Sequence, residues 1–185
     1  MKYVATILLF VALSTSYAEP RVRPHAWATP VIGTELENFY QVDKGVYRSR
    51  QPDDDNIPDM KSLNIKEVLN LRNNHSDDRE LREGGFLLHR VKMNAGSVTE
   101  EQLIESLRII KDRTGPILIH CWHGSDRTGV TLAAYRIVFS GWSKADALDE
   151  MRNGGYGYHE RIYPNLVGLI NNLDVSKVKA ALGLN

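Results

Sequence analysis

The sequence predicts one α/β domain, with a mostly parallel central sheet flanked by helices. Short apolar runs over residues 65–71, 86–91 and 117–119 alternate with stretches of helical spacing, the pattern of a parallel sheet covered by helices. The 185 residues show no repeat, low-complexity tract or internal linker, so one domain accounts for them. With 23 basic and 23 acidic residues the formal net charge is zero, and nothing in that balance implies a nucleic-acid partner.

Met1-Lys2, an apolar run over 3–13 and the small-residue exit Ser14-Thr15-Ser16-Tyr17-Ala18 predict a secretory signal peptide over residues 1–18. That run is shorter than the roughly 20 residues a membrane-spanning helix needs, so an exported protein without a stable membrane anchor is expected. Its compartment is the periplasm in a Gram-negative cell, or the exterior otherwise. Residues 19–35 hold several prolines and no periodicity, which predicts an extended N-terminal arm before a domain over 36–185.

A hairpin is expected over 39–48, turning at Asp43-Lys44-Gly45, and Ser49-Arg50-Gln51-Pro52 then leads to a short helix ending near Leu63. Between the strands at 65–71 and 86–91 lie an acidic loop and a short helix over 76–83. Thr99 and Gln102 form a capping box for a helix to about Lys111, with Leu103, Leu107 and Ile110 inward. Pro116 opens the next strand. Past it, Val130, Ala133, Ala134, Ile137 and Val138 mark one apolar face of a helix. Ser143 with Asp146 caps another helix through Arg152. Asn153-Gly154-Gly155-Tyr156-Gly157-Tyr158 reads either as a connector or as the border of a pocket, and residues 164–182 give one or two packing helices.

Chemistry concentrates in His120-Cys121-Trp122-His123-Gly124-Ser125-Asp126-Arg127-Thr128-Gly129, between a strand and a helix start. Backbone amides of such a loop stay unpaired and favour an anion. A thiol at its base, Cys121, is expected to ionise well below the free value of roughly 8.5 and to act as nucleophile. Arg127 offers a planar fork for two phosphate oxygens. The expected phosphate cradle is Trp122, His123, Gly124, Ser125, Asp126 and Arg127, with Gly124 and Gly129 permitting its curvature. The Thr128 hydroxyl is placed to donate to the Cys121 sulfur. Cys121 is the single cysteine, so no disulfide forms within the chain and the thiol is an oxidation target. The six histidines show no metal-ligand spacing, and neither metal nor organic cofactor is expected.

This stretch resembles the His-Cys-x5-Arg-Thr-Gly signature of cysteine-dependent protein tyrosine and dual-specificity phosphatases. The resemblance implies the protein-tyrosine-phosphatase fold, a phosphocysteine intermediate on Cys121, phosphate binding by Arg127, and a His120 that orients the loop. Residues 115–155, with Tyr135-Arg136-Ile137-Val138, Gly141-Trp142 and Glu150-Met151-Arg152-Asn153-Gly154-Gly155, resemble the exported dual-specificity phosphatases of the bacterial periplasm. Tyr47-Arg48-Ser49-Arg50-Gln51-Pro52 is similar to an element of the atypical fungal and plant enzymes, among them phosphatases of inositol pyrophosphates. By that likeness Arg48 and Arg50 either hold phosphate behind the loop or serve the fold and the surface. A phosphorylated protein is the implied partner, phosphotyrosine foremost and phosphoserine or phosphothreonine besides. Inositol or other soluble phosphates are the alternative substrates, and a catalytically weak phosphate-binding module is the alternative to an enzyme.

One departure stands out. A loop before the signature brings an aspartic acid to the leaving oxygen in this family, but Met93-Asn94-Ala95-Gly96-Ser97-Val98 contains no acid. General acid catalysis contributes about 10² to 10⁴ in rate. Asp126 is the first candidate, since Cys-x-x-Gly-x-Asp-Arg resembles the myotubularin lipid phosphatases. Asp77 or Asp78 could reach in from the acidic loop, or there is no acid.

Overall fold

A computed structural model describes residues 22–184. Its strands are β1 (Thr29–Pro30), β2 (Tyr40–Asp43), β3 (Val46–Ser49), β4 (Glu67–Arg72), β5 (Leu87–Met93) and β6 (Ile117–His120). They form one sheet in the order β1-β2-β3-β6-β4-β5. β3, β6, β4 and β5 are mutually parallel, while β1 and β2 add an antiparallel edge. The helices are α1 (Ile57–Ser62), α2 (Glu100–Asp112), α3 (Asp126–Phe139), α4 (Lys144–Asn153), α5 (Asn165–Asn172) and α6 (Val175–Ala181). The expected single α/β domain with a mostly parallel sheet is the one observed.

Side chains alternate across a strand, and the alternation sorts them into two layers. Val46, Leu69, Ile117 and Ile119 join the larger core with α2 to α6, whereas Tyr47, Val68 and Leu118 join Ile57 and Met60 of α1 in the smaller one. β6 is buried along its whole length between β3 and β4. Its carboxyl end therefore lies where the chain leaves neighbouring strands in different directions, the usual place for a ligand in such sheets.

Three expectations are corrected. Residues 76–83 are not a helix: turns lead to a single 3-10 turn over Arg82–Gly84, closed by left-handed Gly85. α3 is not amphipathic, because α2, α4, α5 and α6 pack around it and bury Thr128 to Val138 without a break. This burial makes α3 a rigid axis for the loop at its start.

The third correction concerns the arm. Trp27 and Ala28 are buried, and β1 pairs with β2. Glu150 explains this docking. Its carboxylate accepts from Ala28 N at 2.7 Å, from Arg136 Nε at 2.8 Å and from the Tyr156 hydroxyl at 3.0 Å. The described part of the arm is thus part of the domain, held by a buried charge that needs all its donors. The expected signal peptide lies outside the described residues. No helix among the described residues is long and apolar enough to cross a membrane.

Candidate active site

The cradle takes shape where β6 ends. Cys121 is buried at that end, residues 122–125 turn, and α3 begins at Asp126. None of the amides from Trp122 to Thr128 donates to a protein acceptor among the described residues, and the first helical bond runs from Gly129 N to Ser125 O at 2.9 Å. The loop carbonyls are held instead. Trp122 O accepts from Gln51 N at 3.0 Å, His123 O from Asn38 Nδ2 at 2.8 Å, and Gly124 O from Arg48 Nη2 at 2.6 Å. With three successive carbonyls engaged from outside, the amides are left free for an anion within the loop. Gly124 is required at its position: φ is +74°, and a Cβ would lie 2.4 Å from Ser49 O.

These contacts reassign the residues of the upstream element. Arg48 is buried behind the loop, its guanidinium 3.5 Å from the centre of the Tyr156 ring, so it braces the cradle through Gly124. Arg50 faces solvent and pairs with Glu37 at 3.2 Å. Tyr156 lies in the connector after α4, but it is buried, packs edge-on against Tyr40, and accepts from Arg23 Nη2 at 2.8 Å. Asn38 escaped the sequence reading altogether. Its left-handed backbone, φ +53°, is the one local sign that the position is unusual.

Next to the nucleophile, His120 is completely buried. Its Nδ1 lies 3.1 Å from Cys121 O and its Nε2 2.8 Å from Asp77 Oδ2. Asp77 Oδ1 accepts from Gln51 Nε2 at 2.8 Å and Asn70 Nδ2 at 2.9 Å. Burial pushes the Asp77 carboxyl up, but the hydrogen bonds and charge of His120, with help from Gln51 and His75, hold it below its ordinary value. Both Asp77 oxygens are thus engaged within the fold, and Asp78 is exposed.

A cavity of about 280 Å³ opens beside the cradle, lined by Arg72, Asn73, Asn74, Met93, Asn94, Ala95, Trp122, Arg127 and Tyr163. No carboxylate lines it. Asp126, the leading candidate acid, is engaged elsewhere, since Oδ1 accepts from His159 N at 2.9 Å and Oδ2 lies 3.0 Å from His159 Nδ1. It ties the loop after α4 to the first turn of α3. Arg127 reaches the cavity, with Nη1 3.4 Å from Met93 O and a buried Nε that has no partner among the described residues. Thr128 Oγ1 is likewise buried without a partner, so the predicted bond to the Cys121 sulfur is not formed in this structure.

Among the other loop residues, Ser125 is buried, and the His123 ring sits 6.0 Å from that of His159. Trp122 is exposed and forms one wall, with the Arg72 guanidinium 4.3 Å from its ring centre. Burial and the charge of Arg127 lower the pKa of Arg72, while Asp77 and Cys121 oppose the shift. Two guanidiniums thus share one cavity wall with no acidic lining group. Such a wall is built for an anion.

A buried cysteine, a following loop whose amides have no protein acceptor among the described residues, and a cavity lined by two guanidiniums thus meet at the carboxyl end of a central parallel strand. Residues 34–163 match the model of the tyrosine phosphatase family, and the chain belongs to that family. It is 35% identical over 138 residues to the dual specificity protein phosphatase TpbA of Pseudomonas aeruginosa, a match covering 73% of this chain and 62% of that protein. The crystal structure of P. aeruginosa TpbA in complex with pTyr superposes with a TM-score of 0.78 at 30% identity, covering 89% of this chain and 100% of the other. Inositol diphosphatase DSP2 of Oryza sativa subsp. japonica is 30% identical over 141 residues, covering 71% of this chain and 68% of that protein.

Proposed function

We propose that the chain is a cysteine-dependent phosphatase of phosphomonoesters, with phosphotyrosine in proteins as its foremost substrate. The amides of residues 122–128, without a protein acceptor among the described residues while three loop carbonyls are engaged from outside, carry the reading. In the first step the Cys121 thiolate attacks phosphorus in line, an S–P bond forms, and the ester oxygen leaves with the bonding pair. Arg127 and the loop amides hold the three non-bridging oxygens through this transfer. Water then attacks the phosphocysteine, releasing inorganic phosphate and restoring the thiolate.

The acid-free cavity supports an aryl substrate. A tyrosine oxygen, with a pKa of about 10, leaves far more readily as an anion than a serine alkoxide, so the missing acid slows phosphoserine most. The similarity to a protein bound to pTyr points the same way. A second reading, hydrolysis of soluble polyphosphates such as inositol phosphates, draws on the Arg72 and Arg127 wall and on the likeness to an inositol diphosphatase. A binding module without turnover is the third reading, and the missing acid favours it. Export belongs to the same proposal, on the strength of the charged start, short apolar run and small-residue exit over 1–18.

The test is kcat/KM of residues 19–185 on a phosphotyrosine peptide, an aryl phosphate, a phosphoserine peptide and inositol phosphates, beside Cys121→Ser under reducing conditions. Turnover that requires Cys121 and is fastest on phosphotyrosine supports the first reading. Preference for the inositol phosphates selects the second, and phosphate binding without turnover selects the third.

A further inference from the structure

Arg23 lies outside residues 34–163, the span that matches the family, yet all of its guanidinium is engaged with the domain. Nη1 donates to Gly154 O at 2.6 Å, Nη2 to the Tyr156 hydroxyl at 2.8 Å and to Ala28 O at 2.6 Å, and Nε to Ala28 O at 3.0 Å. The guanidinium centre stands 5.1 Å from the Tyr40 ring centre and 5.5 Å from that of Tyr156. A half-buried guanidinium with every nitrogen bonded and aromatic rings beside it is a fixed point of the fold rather than a solvated charge.

What it fixes is Tyr156. That residue stands between Gly155 and Gly157, whose φ values are +79° and +75°, a stretch with little stiffness of its own. Two of the three braces on the cradle carbonyls start from it. Its ring centre lies 3.5 Å from the Arg48 guanidinium, which holds Gly124 O, and its carbonyl accepts at 3.0 Å from Asn38 Nδ2, the group that also holds His123 O. Arg48 Nε is buried without a partner among the described residues, so the ring carries more of the guanidinium's placement.

We infer that Arg23 is a positioning residue for the phosphate cradle: by locking Tyr156 it sets Arg48 and Asn38 against the loop carbonyls, and it thereby couples docking of the N-terminal arm to anion binding by the loop amides. The inference rests on the phosphatase reading for its catalytic consequence. With Tyr156 released, the loop spends part of its time unbraced, and only the braced fraction binds phosphate at full strength. Apparent affinity falls by that fraction, while a saturating ligand restores the braced form. The loss therefore appears in KM and in product inhibition more than in kcat. By linkage, bound phosphate tightens the docking of the arm by the same factor.

The wild-type protein supplies the first test. Ala28 N donates to Glu150 at 2.7 Å while the arm is docked, so hydrogen exchange at this amide reports undocking. Saturating inorganic phosphate is expected to slow that exchange about five- to tenfold. Exchange unaffected by bound phosphate overturns the inference, whether or not any variant folds.

Arg23→Met keeps an unbranched stem and removes the fork. On an aryl phosphate, well below the melting temperature, it is expected to raise KM and the inhibition constant of inorganic phosphate together by about five- to tenfold, with a smaller change in kcat. A folded variant with wild-type KM and wild-type phosphate inhibition makes Arg23 a contact of the fold alone and overturns the inference. The phosphatase reading fails separately: turnover kept by Cys121→Ser removes it, while calorimetry of phosphate binding to wild type and Arg23→Met still decides the coupling. A wild-type protein that binds no phosphate overturns both.

Discussion

The two ends of the central strands treat their polar groups in opposite ways. At the amino end, Glu67 of β4 is buried and saturated: Oε1 accepts from Thr114 N at 2.5 Å and Thr114 Oγ1 at 2.8 Å, and Oε2 lies 2.8 Å from His89 Nε2. At the carboxyl end, seven consecutive amides, Arg127 Nε and Thr128 Oγ1 have no protein acceptor among the described residues. Saturation at one end fixes the turn between α2 and β6. Free donors at the other end, held open by outside groups on the loop carbonyls, leave a place for a ligand. Buried polar groups without partners cost about 1–3 kcal/mol each, so their clustering at one end marks a site.

Variants at the carboxyl end should therefore alter activity more than stability, and the reverse should hold at the amino end. Cys121→Ser should lower kcat/KM on an aryl phosphate by at least about 10⁴-fold with little change in melting temperature. Arg127→Lys keeps the charge and loses the planar fork, and a fall of about 10² to 10³ in kcat/KM is expected. In Gly124→Ala the new methyl group meets the Ser49 backbone at 2.4 Å and alanine must adopt the positive φ that glycine holds there, which should cost about 1–3 kcal/mol and at least tenfold in activity. A Gly124 variant with wild-type kinetics would show that the cradle does not depend on its contact with β3.

Tyr156→Phe tests the brace behind Arg48. Loss of the hydroxyl between Arg23 and Glu150 should cost about 1 kcal/mol in urea unfolding and only severalfold in kcat/KM. Glu67→Gln has the smallest effect on activity, which should stay at the wild-type level, yet it should destabilise the fold by about 1–3 kcal/mol at neutral pH. Burial pushes the Glu67 carboxyl up, but hydrogen bonds from Thr114 and His89 outweigh it and hold the pKa below its ordinary value. Its stabilisation is therefore complete above the unfolded value of about 4.3 and fades as pH falls through the lower folded value. The melting-temperature gap between wild type and Glu67→Gln should narrow as pH is lowered from about 6 to about 3. A gap that widened on acidification would contradict the proposed role of this carboxylate.

What could be read in the sequence was local. The order of strands and helices, the Thr99 and Gln102 capping box, the Ser143 cap and the run from His120 to Gly129 all depend on residues within a few positions of one another. Backbone periodicity and short-range hydrogen bonds are written at that range, so Cys121 and Arg127 could be singled out without coordinates. Tertiary structure alone decided what each remaining polar group faces. Asn38 reaches His123 across 85 positions, Asp77 reaches His120 across 43, and Arg23 reaches Gly154 across 131. No spacing rule encodes such contacts. The same carboxylate type becomes a tether at Asp126, a partner of His120 at Asp77 and a saturated anchor at Glu67, because burial and nearby donors, set by the packing of distant segments, determine what an acid can do.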